Sequence, residues 1–131
     1  MDKVREAVLE TIATLSAPDA SFILTHAGYE DDPGDRKIYD AIVATARRRD
    51  AVFVPVRLLC NEAELVQRVA SPERATRLKS MNAEMAAREA RTRAVLETNH
   101  PNAMSLDISK IGPRESARLI LAHIGRCRPA M

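Results

Sequence analysis

The run VFVPVRL at residues 52–58, followed without a linker by NEAELVQRV, leaves few folds open to this chain. It is rich in β-branched side chains, too short for an independent helix and too apolar for a surface loop. It is therefore expected to be an interior strand. Cys60 and Asn61 break it. Asn61 can accept from the free backbone N–H groups of a new helix, and Glu64 three residues later completes a capping-box pattern. That helix turns Leu65 and Val69 inward and carries Arg68 at its far end, ahead of Arg74, Arg77 and Lys79. Such spacing lets several cations close over one polyanion. The remainder of the chain reads as support for this strand, helix and cationic loop.

Upstream, residues 3–16 place Val4, Val8, Leu9, Ile12 and Leu15 on one face, the period of an amphipathic helix. SFILTH at 21–26 is the next strand expected, and Ala27 and Gly28 turn the chain out of it. After the acidic loop containing Glu30, Asp31 and Asp32, a helix over about 35–49 carries Ile38, Ile42, Val43 and Ala46. Its first turn holds Asp35 and its last holds Arg47, Arg48 and Arg49, in accord with the helix dipole. Downstream of Pro72, residues 82–97 form an alanine-rich charged helix with a thin apolar line of Met85, Ala86, Val95 and Leu96. AMSLDI at 103–108 is a third strand, and Pro113 opens a final helix carrying Ala117, Leu119, Ile120 and Ile124. Strands alternate with helices, which argues for one α/β domain over 1–131 with a parallel sheet, right-handed crossovers and flanking helices.

Charge narrows the function. Lys and Arg number 20 against 18 acids, so the bulk balance of +2 points to neither nucleic acid nor membrane. From Arg68 to Arg93, however, seven cations face three acids, and Arg forks match phosphate and carboxylate better than Lys does. No aromatic residue stands among them for base stacking, so a nucleic-acid partner is not expected. Cys60 and Cys127 lack metal-ligand spacing, and no zinc or other metal site is expected from them. With no apolar leader at Met1 and no 18-residue apolar run, the chain reads as cytoplasmic, with reduced thiols.

The order VFVPVRL, NEAELVQRV, SPERATRLK, a helix, SLDIS and a helix after Gly-Pro resembles the C-terminal two-thirds of P-loop small-molecule kinases. The closest in style are shikimate kinase-like and chloramphenicol phosphotransferase-like ATP-binding proteins that share the VPVRL, SPER and HPN wording. The resemblance runs from about residue 21 to 124, with residues of about 70–98 as the lid. It implies a three-layer P-loop NTPase-like sheet, ATP with Mg2+ as cofactors, and a small-molecule phosphate acceptor. It also implies that Arg68 packs near the adenine and that Arg74, with Arg77 and Lys79 in the same lid, closes on the phosphates. The loop carrying Asp107, Ser109, Lys110, Gly112 and Pro113 would wrap the base.

A P-loop needs Gly-x-x-x-x-Gly-Lys-Ser/Thr, and none of Gly28, Gly34, Gly112 or Gly125 is followed by Lys and Ser/Thr. The chain opens in a helix where the family places its first strand and P-loop, so it is expected to be N-terminally truncated relative to the family. In the resembling fold that strand lies at the sheet centre, between SFILTH and VFVPVRL. Its loss leaves edges open for another chain or a second copy. Asp31 and Asp32, past the end of the first strand, could hold magnesium through water or accept a proton from an acceptor hydroxyl; a solvated Asp-Pro-Gly turn is the plainer alternative. Thr25 and His26 stand at the same strand end, and His100-Pro101-Asn102 reads as turn chemistry. Two functions follow: a kinase-like protein that is inactive or weakly nucleotide-binding, or a non-catalytic α/β module that binds a partner or itself.

Overall fold

In a computed structural model the described residues are 2–73 and 82–129, and they form a mixed α/β chain of five helices and one two-stranded parallel sheet. Helix α1 (Lys3–Thr14) starts at Asp2, whose carboxylate accepts from the Arg5 N–H at 2.8 Å. It buries Leu9 and Ile12 against α2 (Pro33–Arg48) and leaves Val4 and Leu15 in solvent. Asp32 caps α2 by accepting from the Gly34 N–H, and Pro33 enters the first turn, where its missing N–H costs nothing. At the other end Asp50 adopts φ 52° and the Ala51 N–H reaches back to the Ala46 carbonyl. This left-handed residue closes the helix in the manner of a Schellman motif.

Arg49, the last residue before that turn, leaves its own helix and caps the other one. Its guanidinium donates to the carbonyls of Ile12 at 2.6 Å, Ala17 at 2.9 Å and Ala20 at 3.2 Å, and lies 5.3 Å from the Phe22 ring centroid. One cation thereby fastens the α1–α2 pair and the turn between α1 and the apolar segment that follows.

The organising strand is real but shorter than its apolar run. β1 (Val56–Leu59) pairs in parallel with β2 (Met104–Asp107), Val56 opposite Met104 and Leu59 opposite Asp107. Residues 52–55 lie outside it, although Asn102 ties the Phe53 carbonyl to the β2 side. The crossover from β1 to β2 runs through α3 (Glu62–Val69) and α4 (Ala83–Thr92), which pack on each other. Helix α5 (Pro113–Ile124) follows β2 and buries none of its residues.

Two expectations from the sequence need correction. SFILTH is not a strand: residues 21–26 join no sheet and make no backbone hydrogen bond among the described residues. A strand exists only through its ladder, and these apolar residues have no partner strand among the described residues; Ile23 is 95% exposed. The alanine-rich helix does not reach residue 97. It stops at Thr92 because Arg93 takes extended dihedrals, and Val95 forms an isolated antiparallel bridge to Tyr29. Leu96, buried, donates its N–H to the Gly28 carbonyl.

Burial is thin throughout. Leu9, Ile12, Val69, Leu96 and Cys127 are the buried apolar residues among those described, and no large side chain is completely enclosed. The accessible surface is 9450 Å², against about 6,900 Å² for a folded monomer of 14.5 kDa. Among the described residues no helix is long and apolar enough to cross a membrane.

Candidate functional site

The C-terminal ends of β1 and β2 lie side by side, where open α/β sheets place ligands. Beyond β1, Asn61 caps α3 by accepting from the Glu64 N–H at 2.9 Å. The capping box is only half made. Glu64 turns to Arg68 at 2.9 Å instead of back to Asn61, whose N–H donates to the Ser109 hydroxyl at 2.8 Å. The chain leaving β1 is thus bonded directly to the chain leaving β2.

Arg68 completes the connection from the far end of α3. Its Nη2 donates to the carbonyls of Ile108 at 2.6 Å and Ile111 at 3.3 Å while Nε holds Glu64. Two carbonyls three residues apart are fixed by one rigid fork, so the loop at 107–113 is given its shape by α3. Within it, Asp107 accepts from the Ser109 N–H at 2.9 Å, and its carboxyl is held below the usual carboxylate range by the Ser109 hydroxyl and amide, with Lys110 assisting. Gly112 precedes α5 without a side-chain cap, and a Cβ built on it would meet nothing within 4 Å. Pro113 opens α5, whose positive dipole end follows Lys110 in the chain, while the Arg68 charge is answered by Glu64.

Of the residues singled out from sequence, Arg68, Asp107, Ser109, Lys110, Gly112 and Pro113 are brought together here. The lid cations Arg74, Arg77 and Lys79 lie outside the described residues. Asp31 and Asp32 go elsewhere. Asp32 is the α2 cap, and Asp31 takes a bidentate grip from Arg93, Nη2 at 2.8 Å and Nε at 3.1 Å. That hydrogen-bonded guanidinium holds the Asp31 carboxyl below its ordinary value. Arg93 also lies 3.7 Å from the Tyr29 ring centroid, while the Tyr29 hydroxyl donates to Glu89 at 3.0 Å. Burial, then Glu89, raises the Tyr29 phenol. Among the described residues no hydrogen bond or ion pair joins this group to the Arg68 loop.

Among the described cations from Arg68 to Arg93, three are answered by acids from outside that window. Arg68 pairs with Glu64, Arg91 with Glu62 at 2.7 Å, and Arg93 with Asp31. Among the described residues no group of three or more His, Cys, Asp or Glu is placed to hold a metal ion. A cavity of about 400 Å³ beside α2, lined by Tyr39, Arg47 and His100 among others, lies apart from the residues assigned to nucleotide.

Sequence reasoning missed Asn102. Its side chain donates to the carbonyls of Phe53 at 2.9 Å and Arg128 at 2.8 Å, its N–H donates to His100 Nδ1, and its own carbonyl lies 2.8 Å from His123 Nε2. Acting as an acceptor requires a neutral His100 ring, and burial followed by Arg47 lowers the His100 value in that sense. The only signal was His-Pro-Asn, which reads as a turn and conceals the donor pair of the amide. His26 likewise finds Asp35 at 3.3 Å, and Asp35 also accepts from the Tyr29 N–H.

Compared with known protein families, curated proteins and solved structures, the chain matches none.

Proposed function

We propose that this chain is a nucleotide-binding, kinase-like α/β protein that holds the base and phosphates of ATP over the C-terminal edge of β1 and β2. The observation that carries the reading is the Arg68 fork on Ile108 and Ile111, which joins the helix-end Arg to the loop after β2. Those are the two elements to which the kinase resemblance assigns the adenine. Arg68 is a positioning residue in this arrangement, since it shapes the loop through carbonyls. Gly112 faces open space at the positive N-terminal end of α5, which leaves room for an anionic group beside the loop. The parallel pairing of VPVRL-derived β1 with SLDIS-derived β2 is the strand neighbourhood that a three-layer kinase-type sheet requires, and we extend the reading to that fold.

Binding is separable from turnover. Phosphoryl transfer depends on a phosphate cradle and a metal, and this sequence carries no Gly-x-x-x-x-Gly-Lys-Ser/Thr. Magnesium would find Asp31 engaged by Arg93 and Asp32 by a backbone amide, which leaves both carboxylates committed to the fold. The chain is therefore read as gripping nucleotide with little or no transfer of its own.

The test is a titration with ATP and Mg2+ followed by backbone-amide NMR. Saturable shifts are expected at Asn61, Ile108, Ser109, Lys110, Ile111, Gly112 and Arg114. No saturable shift at millimolar ATP, or shifts confined to α1 and α2, would remove the reading.

A further inference from the structure

We infer that the free edge of β1 is a self-association surface, at which a second copy of this chain pairs antiparallel across a two-fold axis. The backbone is poised for it. The carbonyls of Pro55 and Leu59 accept from Met104 and Ile108, so 55, 57 and 59 direct their polar groups toward β2. By the alternation of a strand, the N–H and C=O groups of Val56 and Leu58 point the other way, and no backbone partner meets them among the described residues. Val54 continues that set. The proline falls on the β2-facing side, so its missing N–H removes no donor from the open edge.

The edge is short, at four residues, but its side chains do little to discourage pairing. It carries no Lys, and its one charge, Arg57, is drawn away: Nε donates to the Leu96 carbonyl at 2.9 Å and Nη2 to the Val95 carbonyl at 3.1 Å. Natural edge strands are usually blunted by inward charges, proline or cover, and an unblunted apolar edge is a template for another strand. Leu58 is 49% exposed and Val52 is 44% exposed.

The edge is complementary to itself in one register. With the axis through Val56, Val56 meets its own copy as a hydrogen-bonded pair, and Val54 and Leu58 meet each other on either side. Arg57 then faces Pro55 rather than a second Arg57, so no like charges are opposed. The result is a four-stranded sheet in the order β2, β1, β1 of the second copy, β2 of the second copy. Closed two-fold dimers are the commonest oligomers. The whole chain exposes about 2,500 Å² more than a compact monomer of its mass, an excess that is spread over the fold and exceeds the roughly 800 Å² per partner that a standard interface buries.

This inference is independent of nucleotide binding and is tested by sedimentation velocity on the full chain over a micromolar to millimolar range. A dimer is expected, with the Val56 and Leu58 amides becoming protected from hydrogen exchange as concentration rises. Val56→Pro deletes a free-edge donor, and Leu58→Lys places a charge on that edge. Each should weaken dimerisation at least about tenfold, with helical circular dichroism retained. If Val56→Pro fails to fold, Leu58→Lys and the exchange readout still decide. A monomer throughout the range would overturn the inference and leave the edge to a strand of another polypeptide. A dimer indifferent to both changes, with unprotected Val56 and Leu58, would overturn it equally.

Discussion

Replacing Asn102 with alanine is expected to cost about 2–4 kcal/mol of stability and to lower the melting temperature by roughly 10 °C. Asn102 is 8% exposed. Its amide nitrogen satisfies the carbonyls of Phe53 and Arg128, and its Oδ1 accepts from the Arg128 N–H at 3.4 Å. Alanine leaves two part-buried carbonyls and one N–H without partners, in a chain with few buried contacts to offset the loss. Asn102→Asp should be no better, because it sets a carboxylate oxygen against the same two carbonyls. The affected region is specific: the approach to β1, the α5 C-terminus and the segment around Cys127 should all lose exchange protection. Thermal unfolding followed by circular dichroism checks this, and a drop of under about 3 °C would refute it.

Arg49→Ala should destabilise by about 1–3 kcal/mol, since charge-assisted hydrogen bonds to several carbonyls vanish together. Those carbonyls include Ile12 in the last turn of α1 and Ala17 and Ala20 beyond it. Without the guanidinium, α1 loses its cap and the turn at 16–20 loses its anchor to α2. Faster amide exchange is expected first at Leu15 and Ser16, whose N–H groups both bond to the Thr11 carbonyl. Arg49→Lys should recover less than half of the loss, because a single ammonium cannot span the spread of carbonyls that the fork reaches. Full recovery by lysine would show that charge alone, and not geometry, matters here.

The helices were legible because their signals are local. The Asn61 cap and the Pro113 start could be read within a few residues and fall where the spacing placed them, whereas α2 begins at Pro33 under an Asp32 cap, ahead of the start expected near Asp35. The parallel partnership of VPVRL and SLDIS was legible in kind, since alternating elements demand it. The fate of SFILTH was not, because whether an apolar run becomes a strand depends on a neighbour that its own residues do not encode. The end of α4 was misread for a related reason: Val95 and Leu96 fit a helical period, but their partners, Tyr29 and Gly28, lie some 66–68 residues earlier.

The candidate site divides in the same way. Arg68 was found by its place at a helix end, though its bonds to Ile108 and Ile111 depend on the crossover. Counting charges within one window suggested exposed cations, whereas Glu64, Glu62 and Asp31 answer Arg68, Arg91 and Arg93 from outside that window. Asp31 and Asp32 looked equivalent as neighbours. One is a helix cap and the other an ion-pair partner, a distinction set by Pro33 on one side and Arg93 across the fold.

The affinity of ATP for the unaltered chain and for Arg68→Ala, measured by calorimetry with Mg2+ present, bears most directly on this account. It predicts saturable binding by the unaltered chain, weakened about tenfold or more in Arg68→Ala, a difference of at least about 1.4 kcal/mol, with circular dichroism unchanged. No binding at millimolar ATP, or equal affinity in a folded Arg68→Ala protein, would contradict it.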